Sequence, residues 1–406
     1  MSKFSNPFNR LQLTLEDEQK LEEIGKVFVR ETLLQYQRHL FEEQGQVDGN
    51  RWKFVKQREN VVVFQERPGK GGIAAYKDMG MGAPAPSADL PILMGIGTIV
   101  GDLDDVMYGV VNPTQDMIRI KTSYVEDNIV DAAVLATLIE PSVSDPFRAL
   151  TIKWAVKGRP LHIRSVIKNR DLVYLESTGI AQLANGEKIG YQLLHSVTFP
   201  QVHELEATVR GNMSLSAIYR QKSDNKVELY MRGFLDPAGG LMRSIVVKSA
   251  AEAMVSVWKN VHCAQMKKLA WVIRRGKFAP DRRESRAYSM QNNTGVCATC
   301  QKKSALNFVT KSVCRVCFKH VCLACRIKKK LSFIGPDRRL VQQRVTFCSM
   351  CISKAINTSA QMVASDEILA KDSFNGFGAT PSMISSSESS TTYSTTGNSV
   401  DGSDYY

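Results

Sequence analysis

Long apolar runs are missing from this chain, and so are the short motifs that announce most enzymes. No stretch of about 18 apolar residues occurs, so no membrane-spanning helix is expected. Met1 to Arg10 is polar and has no apolar segment of the secretory kind. The chain is therefore expected to be intracellular, where thiols stay reduced. There is no G-x-S-x-G, P-loop or H-E-x-x-H, and the six histidines are scattered. An enzyme is the class the sequence favours least. Cysteine is nearly absent from the first 296 residues, which hold only Cys263. That residue sits at helical spacing, where a buried structural thiol is the ordinary case.

The other eight cysteines crowd between residues 297 and 351 as four C-x2-C pairs: Cys297 and Cys300, Cys314 and Cys317, Cys322 and Cys325, Cys348 and Cys351. In a reduced compartment that pattern reads as metal, not disulfide. Zinc takes four ligands tetrahedrally, and a C-x2-C turn puts two thiolates on one ion, so four pairs supply two closed four-cysteine sites. A closed site leaves no position for water and supports folding, not catalysis. Two zinc ions per chain are expected, and their chelation is expected to unfold residues 290–354 with the N-terminal part left folded.

Charge divides the chain the same way. Residues 274–354 hold 19 Lys and Arg against 3 Asp and Glu, a local +16, while the whole chain of 406 residues carries only +13. Residues 355–406 carry one Lys and six acids among Ser, Thr, Gly and Asn, and read as a disordered tail. The basic excess belongs to the cysteine module. It calls for an anionic partner, either membrane phosphates or nucleic acid.

Before the module, the pattern reads as α+β. Leu15 to Glu43 has helical spacing, and Asp102 to Val110 reads as a short helix with acids in its first turn. Strands are expected at Trp52–Val55, Val61–Phe64, Ile92–Val100, Val130–Ile139, Leu150–Val156, Asp171–Thr178 and Gly190–Phe199. Met213–Tyr219 and Lys226–Phe234 alternate across a Ser223-Asp224-Asn225 turn, as a hairpin does. From Leu241 to Arg274 the apolar period becomes helical for about 30 residues. A long antiparallel sheet closed by one such helix leaves an apolar cavity between them. The inward faces put Met213, Leu215, Val227, Leu229, Met231, Ala253 and Val257 on its wall. A solid core without a ligand is the alternative.

Asn169-Arg170-Asp171-Leu172-Val173-Tyr174-Leu175, the late hairpin and the final helix resemble a START domain over residues 10–278. The resemblance implies a helix-grip fold with a lipid in its cavity. Residues 290–354 resemble the cross-brace modules of the FYVE, RING and PHD families. That implies interleaved ligands: Cys297, Cys300, Cys322 and Cys325 on one ion, and Cys314, Cys317, Cys348 and Cys351 on the other. The four residues between Cys317 and Cys322 fit FYVE and PHD better than RING, and His320 within them reads as a surface residue.

A FYVE domain binds phosphatidylinositol 3-phosphate through three motifs, and this chain departs from all of them. Ser285 to Val296 holds Tyr288 but no Trp. Thr310-Lys311-Ser312-Val313-Cys314-Arg315 keeps Lys311 and Arg315 but lacks both histidines. Arg344-Val345-Thr346-Phe347-Cys348 is displaced by two residues. Lys328, Lys329 and Lys330, followed by a Gly335-Pro336-Asp337 turn, form a basic hairpin with Leu331, Phe333 and Ile334 near its tip. It suits either insertion at a lipid surface or plain solvation.

The expected reading is a non-enzymatic, lipid-binding, membrane-associated adaptor. It would be cytoplasmic and peripheral on endosomal or other intracellular membranes. Its partners would be a lipid ligand, an anionic membrane or phosphoinositide, and a small GTPase or other protein, with nucleic acid unfavoured. The alternative is a PHD-like interaction or chromatin-reading scaffold without lipid.

Overall fold

The computed structural model describes residues 4–68, 90–158, 167–183, 185–278, 296–303 and 312–375. Tyr288, Lys311 and the tail from residue 376 onward lie outside them. Helix α1 (Leu15–Phe41) opens on a capping box, in which the Thr14 hydroxyl accepts from Asp17 N and the Asp17 carboxylate accepts from Thr14 N. Ten strands follow in one sheet: β1 (Trp52–Arg58), β2 (Val61–Glu66), β3 (Leu93–Val100), β4 (Ile129–Ile139), β5 (Ala149–Lys157), β6 (Asn169–Gln182), β7 (Lys188–Ser196), β8 (Thr208–Arg210), β9 (Asn212–Ser223) and β10 (Lys226–Asp236). The order is β1-β2-β3-β10-β9-β7-β6-β5-β4, antiparallel throughout, with β8 laid parallel on β6.

The period-2 alternation sorts this sheet into two coats. On β9, Ile218 packs with Tyr36 of α1, and Ser214 meets His195 beneath Phe28 of the same helix. The intervening Met213, Leu215 and Ala217 face the other way, toward α2 (Leu103–Val110), α3 (Gln115–Val125), α4 (Arg243–Val255) and α5 (Asn260–Phe278). This is the α+β helix-grip arrangement that the resemblance implies. No described helix is long and apolar enough to cross a membrane.

Three elements depart from the sequence reading. The single helix expected over Leu241–Arg274 is broken by a 3-10 turn at Ser256–Lys259. The Ser256 hydroxyl takes the Ala253 carbonyl at 2.7 Å, and the Asn260 carbonyl lies so close over Gly109 that any Cβ there would collide with it. Seating α5 against α2 therefore bends the chain. Helix α3 was not foreseen. Its polar face masks its period, and only the Thr14-like cap at Thr114 marks its start. The reading of residues 355–406 as a disordered tail is corrected over 360–375, which form a helix (Ala360–Asn375) with Ala360, Val363 and Ala364 buried against the cavity domain. Asp366 and Glu367 are held as well. Asp366 accepts from the Trp271 indole at 2.6 Å, Glu367 accepts from the Tyr108 hydroxyl at 2.8 Å, and both pair with arginines of α5.

The motif around residue 171 has a structural reason. Asp171 is fully buried and accepts at 2.9 Å from the Trp154 indole, the Thr208 hydroxyl and the Arg210 guanidinium, tying β5, β6 and β8 together. Its neighbour Arg170 reaches the carbonyls of Pro237 and Ala238 beyond β10. Asp171→Ala should leave the Arg210 Nε and the Trp154 indole without an acceptor and cost about 3–5 kcal/mol. Asp171→Asn should cost less, about 1–3 kcal/mol. Denaturant midpoints measure both, and an unshifted midpoint for the alanine variant would contradict the hub.

Candidate ligand cavity and metal centres

The space between the sheet and α4 has a volume of about 160 Å³. Its walls are Leu172 and Tyr174 of β6, Leu194 of β7, Met213 and Leu215 of β9, Ala250, Ala253 and Met254 of α4, Val257 of the 3-10 turn, and Ile118 and Val125 of α3. Of the residues the sequence places here, Met213, Leu215, Ala253 and Val257 are on the wall. Val227, Leu229 and Met231 are not, and that placement is corrected. They lie on the expected face of β10 but at its hairpin end, packed solid with Met107, Val247 and Ala251. Strand periodicity selects a face but not a position along it.

One end of the cavity is polar, and sequence inspection missed it. Lys153 donates to Glu176 and to both the carbonyl and side-chain oxygens of Asn112, and the Gln192 amide donates to Glu176 at 2.7 Å. Burial alone would raise the Glu176 carboxyl, but Lys153 and Lys121 hold it below the ordinary value. Lys121 and Lys157 stand on the same wall and donate to the carbonyls of Val110 and Asp127, at 3.0 and 2.9 Å. Burial depresses the Lys157 ammonium, with Asp127 opposing. An apolar-polar alternation reads such lysines as solvent-facing. Only the fold turns them inward.

The eight clustered cysteines fall into two groups: Cys297, Cys300, Cys322 and Cys325, and Cys314, Cys317, Cys348 and Cys351. This is the interleaved grouping the resemblance implies. The geometry suits a metal. Sulfurs held tetrahedrally about 2.3 Å from an ion stand about 3.8 Å apart, and Cys300–Cys322 and Cys317–Cys348 are separated by 3.8 and 3.9 Å. Backbone amides of Thr299, Cys322 and Cys351 aim at the sulfurs of Cys297 and Cys348 at 3.4 Å, as they do around thiolate ligands. Cys263 belongs to neither group and is buried in α5. His320 is not on the surface as expected. Its backbone joins Val313 and Ala298, which draws the ring inside, and neither ring nitrogen finds a partner among the described residues.

The module is not a separate bead. Its hairpin, β11 (Ile327–Ile334) and β12 (Leu340–Phe347), and the helix Ser349–Ile356 lie on α3 and α5. Tyr124, Cys263, Met266, Leu269 and Ile273 share one core with Leu331, Phe347 and Ala355. The Ser332 amide donates to the Tyr124 hydroxyl at 2.6 Å, the Ser332 and Ser123 hydroxyls are 2.7 Å apart, and Arg338 pairs with Asp116 at 3.1 Å. The hairpin tip expected at a lipid surface is thus occupied by α3, which corrects that option. Lys328 and Lys330 are exposed on the outer face with Arg344, which pairs in register with Lys330, and Arg315 borders β12 through a bond to Thr346 O. Lys329 points to the inner face and sits near His262 of α5. Chelation should therefore loosen more than residues 290–354. Two ions should be counted per chain by elemental analysis, and their removal should raise hydrogen exchange in α3 and α5 along with the module. Unchanged protection in α5 would contradict a shared core.

No family model matches the chain, and no curated protein matches it. Among solved structures, human StAR-related lipid transfer protein 5 is 17% identical, with a TM-score of 0.41, over 61% of this chain and 97% of that one. The lipid transfer and protein localization domain of human StarD13 is 14% identical, with a TM-score of 0.37, over 56% of this chain and 95% of that one. A STAR-related lipid transfer protein fragment from Xanthomonas axonopodis is 14% identical, with a TM-score of 0.35, over 53% of this chain and 99% of that one.

Proposed function

We propose that this chain is a non-enzymatic lipid-binding protein whose FYVE-like module holds two zinc ions and meets an anionic membrane. The observation that carries the first half is the cavity itself: apolar walls from one sheet face and a lid helix, with polar groups gathered at one end. A binding site needs that combination, and a solid core does not. At about 160 Å³ the space resembles engineered cavities that admit benzene-sized ligands. A lipid therefore enters by displacing α4, and the 3-10 break at Ser256–Lys259 supplies the hinge. Zinc is the metal the donor set favours, because all-thiolate tetrahedral sites are its structural form.

The membrane half rests on Lys328, Lys330, Arg344 and Arg315, which make no ion pair among the described residues. The reading makes the protein cytoplasmic and peripheral, on endosomal or other intracellular membranes.

Two measurements test these halves. Ala253→Trp or Val257→Trp should fill the space under the lid. Mass spectrometry of organic extracts should then find bound lipid in the native protein and not in folded variants. Equal lipid in both variants would refute the cavity reading. Sedimentation with anionic vesicles should be weak and salt-sensitive, each surface cation contributing on the order of 1 kcal/mol, and should fade as the Debye length falls below about 10 Å. Replacing Lys328, Lys330 and Arg344 together by Ala should abolish it, whereas Lys329→Ala should change little. A strong preference for phosphatidylinositol 3-phosphate over lipids of equal charge would instead point to a headgroup pocket. No binding at low salt would leave a protein, such as a small GTPase, as the module's partner.

A further inference from the structure

The polar end of the cavity is not electrically balanced. Lys121 lies within electrostatic reach of Lys153, Lys157 and Glu176, Lys153 of Glu176, and Lys157 of Asp127. Glu176 is already committed on both oxygens, one to Lys153 and one to Gln192. Asp127 turns its backbone carbonyl, not its carboxylate, to Lys157, and one carboxylate oxygen caps the Ile129 amide at 3.3 Å. Lys121 and Lys157 form no ion pair among the described residues. Each has one acceptor, a backbone carbonyl, for its three N–H groups. The Asn260 side chain, buried where the 3-10 turn meets α5, lines the same space and makes no hydrogen bond within the described residues. A low-dielectric cavity is thus left with unfilled donors and a surplus positive charge. A hydroxyl would fill a donor but leave the charge. An anion does both.

We propose that the ligand of this cavity is a single-chain amphiphile with an anionic head, a carboxylate or phosphate monoester, bound by Lys121 and Lys157 with Asn260 as a further donor. The proposal rests on the reading that the cavity binds lipid, and it names the class. The apolar wall opposite, Leu194, Met213, Leu215 and Ala253, takes the chain. The small volume favours one chain over a ring system or two chains.

Calorimetry on the full, metal-loaded chain tests this with decanoate, decyl phosphate, 1-decanol and cholesterol. At least one of the two anions should bind about tenfold or more tighter than decanol, the worth of one charge-assisted bond, and their ranking separates carboxylate from phosphate. Lys121→Met and Lys157→Met should each erase most of that preference, weakening the anions far more than decanol, and Lys121→Arg should keep it. Decanol binding as tightly as both anions, or a preference unchanged in both methionine variants, would overturn the proposal while leaving a lipid cavity in place. Binding of none of the four would refute the lipid reading and this proposal with it. Should a methionine variant not fold, the acid-to-alcohol ratio on the native chain decides alone.

Discussion

Helix α5 is buried on two sides, and most of the architecture follows from that. One side packs Val261, Ala264 and Trp271 into the core of the cavity domain, and the other packs Cys263, Met266, Leu269 and Ile273 against the cysteine module. A helix in that position cannot carry a solvated stripe. Its two central lysines are accordingly turned inward onto acceptors: Lys268 to Asp105 and the Ile356 carbonyl, and Lys267 to the Tyr108 carbonyl at 2.6 Å, above that tyrosine ring. These contacts span three segments far apart in sequence. The module's fold, which depends on metal, and the seating of α2 and α5 are therefore parts of one cooperative unit.

Helix α3 transmits the same constraint to the cavity. Ile118, Lys121, Thr122 and Val125 form cavity wall, while Asp116, Arg119, Ser123 and Tyr124 hold the hairpin. Arg119 is almost fully buried, giving its guanidinium to the Arg338 carbonyl and stacking on Phe4. A helix with a ligand on one face and a docked module on the other has little freedom to move outward. The lid that yields to a ligand is therefore α4, whose C-terminal end is already broken at Ser256, and not α3.

The sequence disclosed what is local or periodic. Cysteine spacing located both metal groups, because a C-x2-C turn is a short-range device that needs no tertiary context. Alternation found the strands and the correct face of β9. What stayed hidden was whatever depends on partners distant in the chain. Val227, Leu229 and Met231 share the periodicity of cavity residues and differ in being packed solid in the core with residues of α2 and α4. Half of residues 360–375 are apolar, unlike the Ser- and Thr-rich stretch after them, and what the sequence did not disclose is the groove offered by Tyr108, Trp271 and Arg274, which takes up Ala360, Val363, Ala364, Asp366 and Glu367. The inward turn of Lys121 and Lys157 had no signal at all, since a lysine reads as surface until its neighbours are known.

The charge of the module takes on a direction once its docking is known. Part of the +16 is neutralised by acids outside residues 274–354: Arg274 and Arg275 by Glu367 and Asp366, and Arg338 by Asp116. Lys328, Lys330 and Arg344 stay free because the alternation of β11 and β12 points them away from the face that Leu331 gives to α3 and α5. The hairpin thus separates two electrostatic environments, a basic outer face and, behind α3, the surplus cation inside the cavity. An anionic surface held by the outer face lies across the two-stranded sheet and α3 from the cavity's polar end. On the proposed reading, the anion that balances the cavity comes in as a ligand, independently of whatever holds the module.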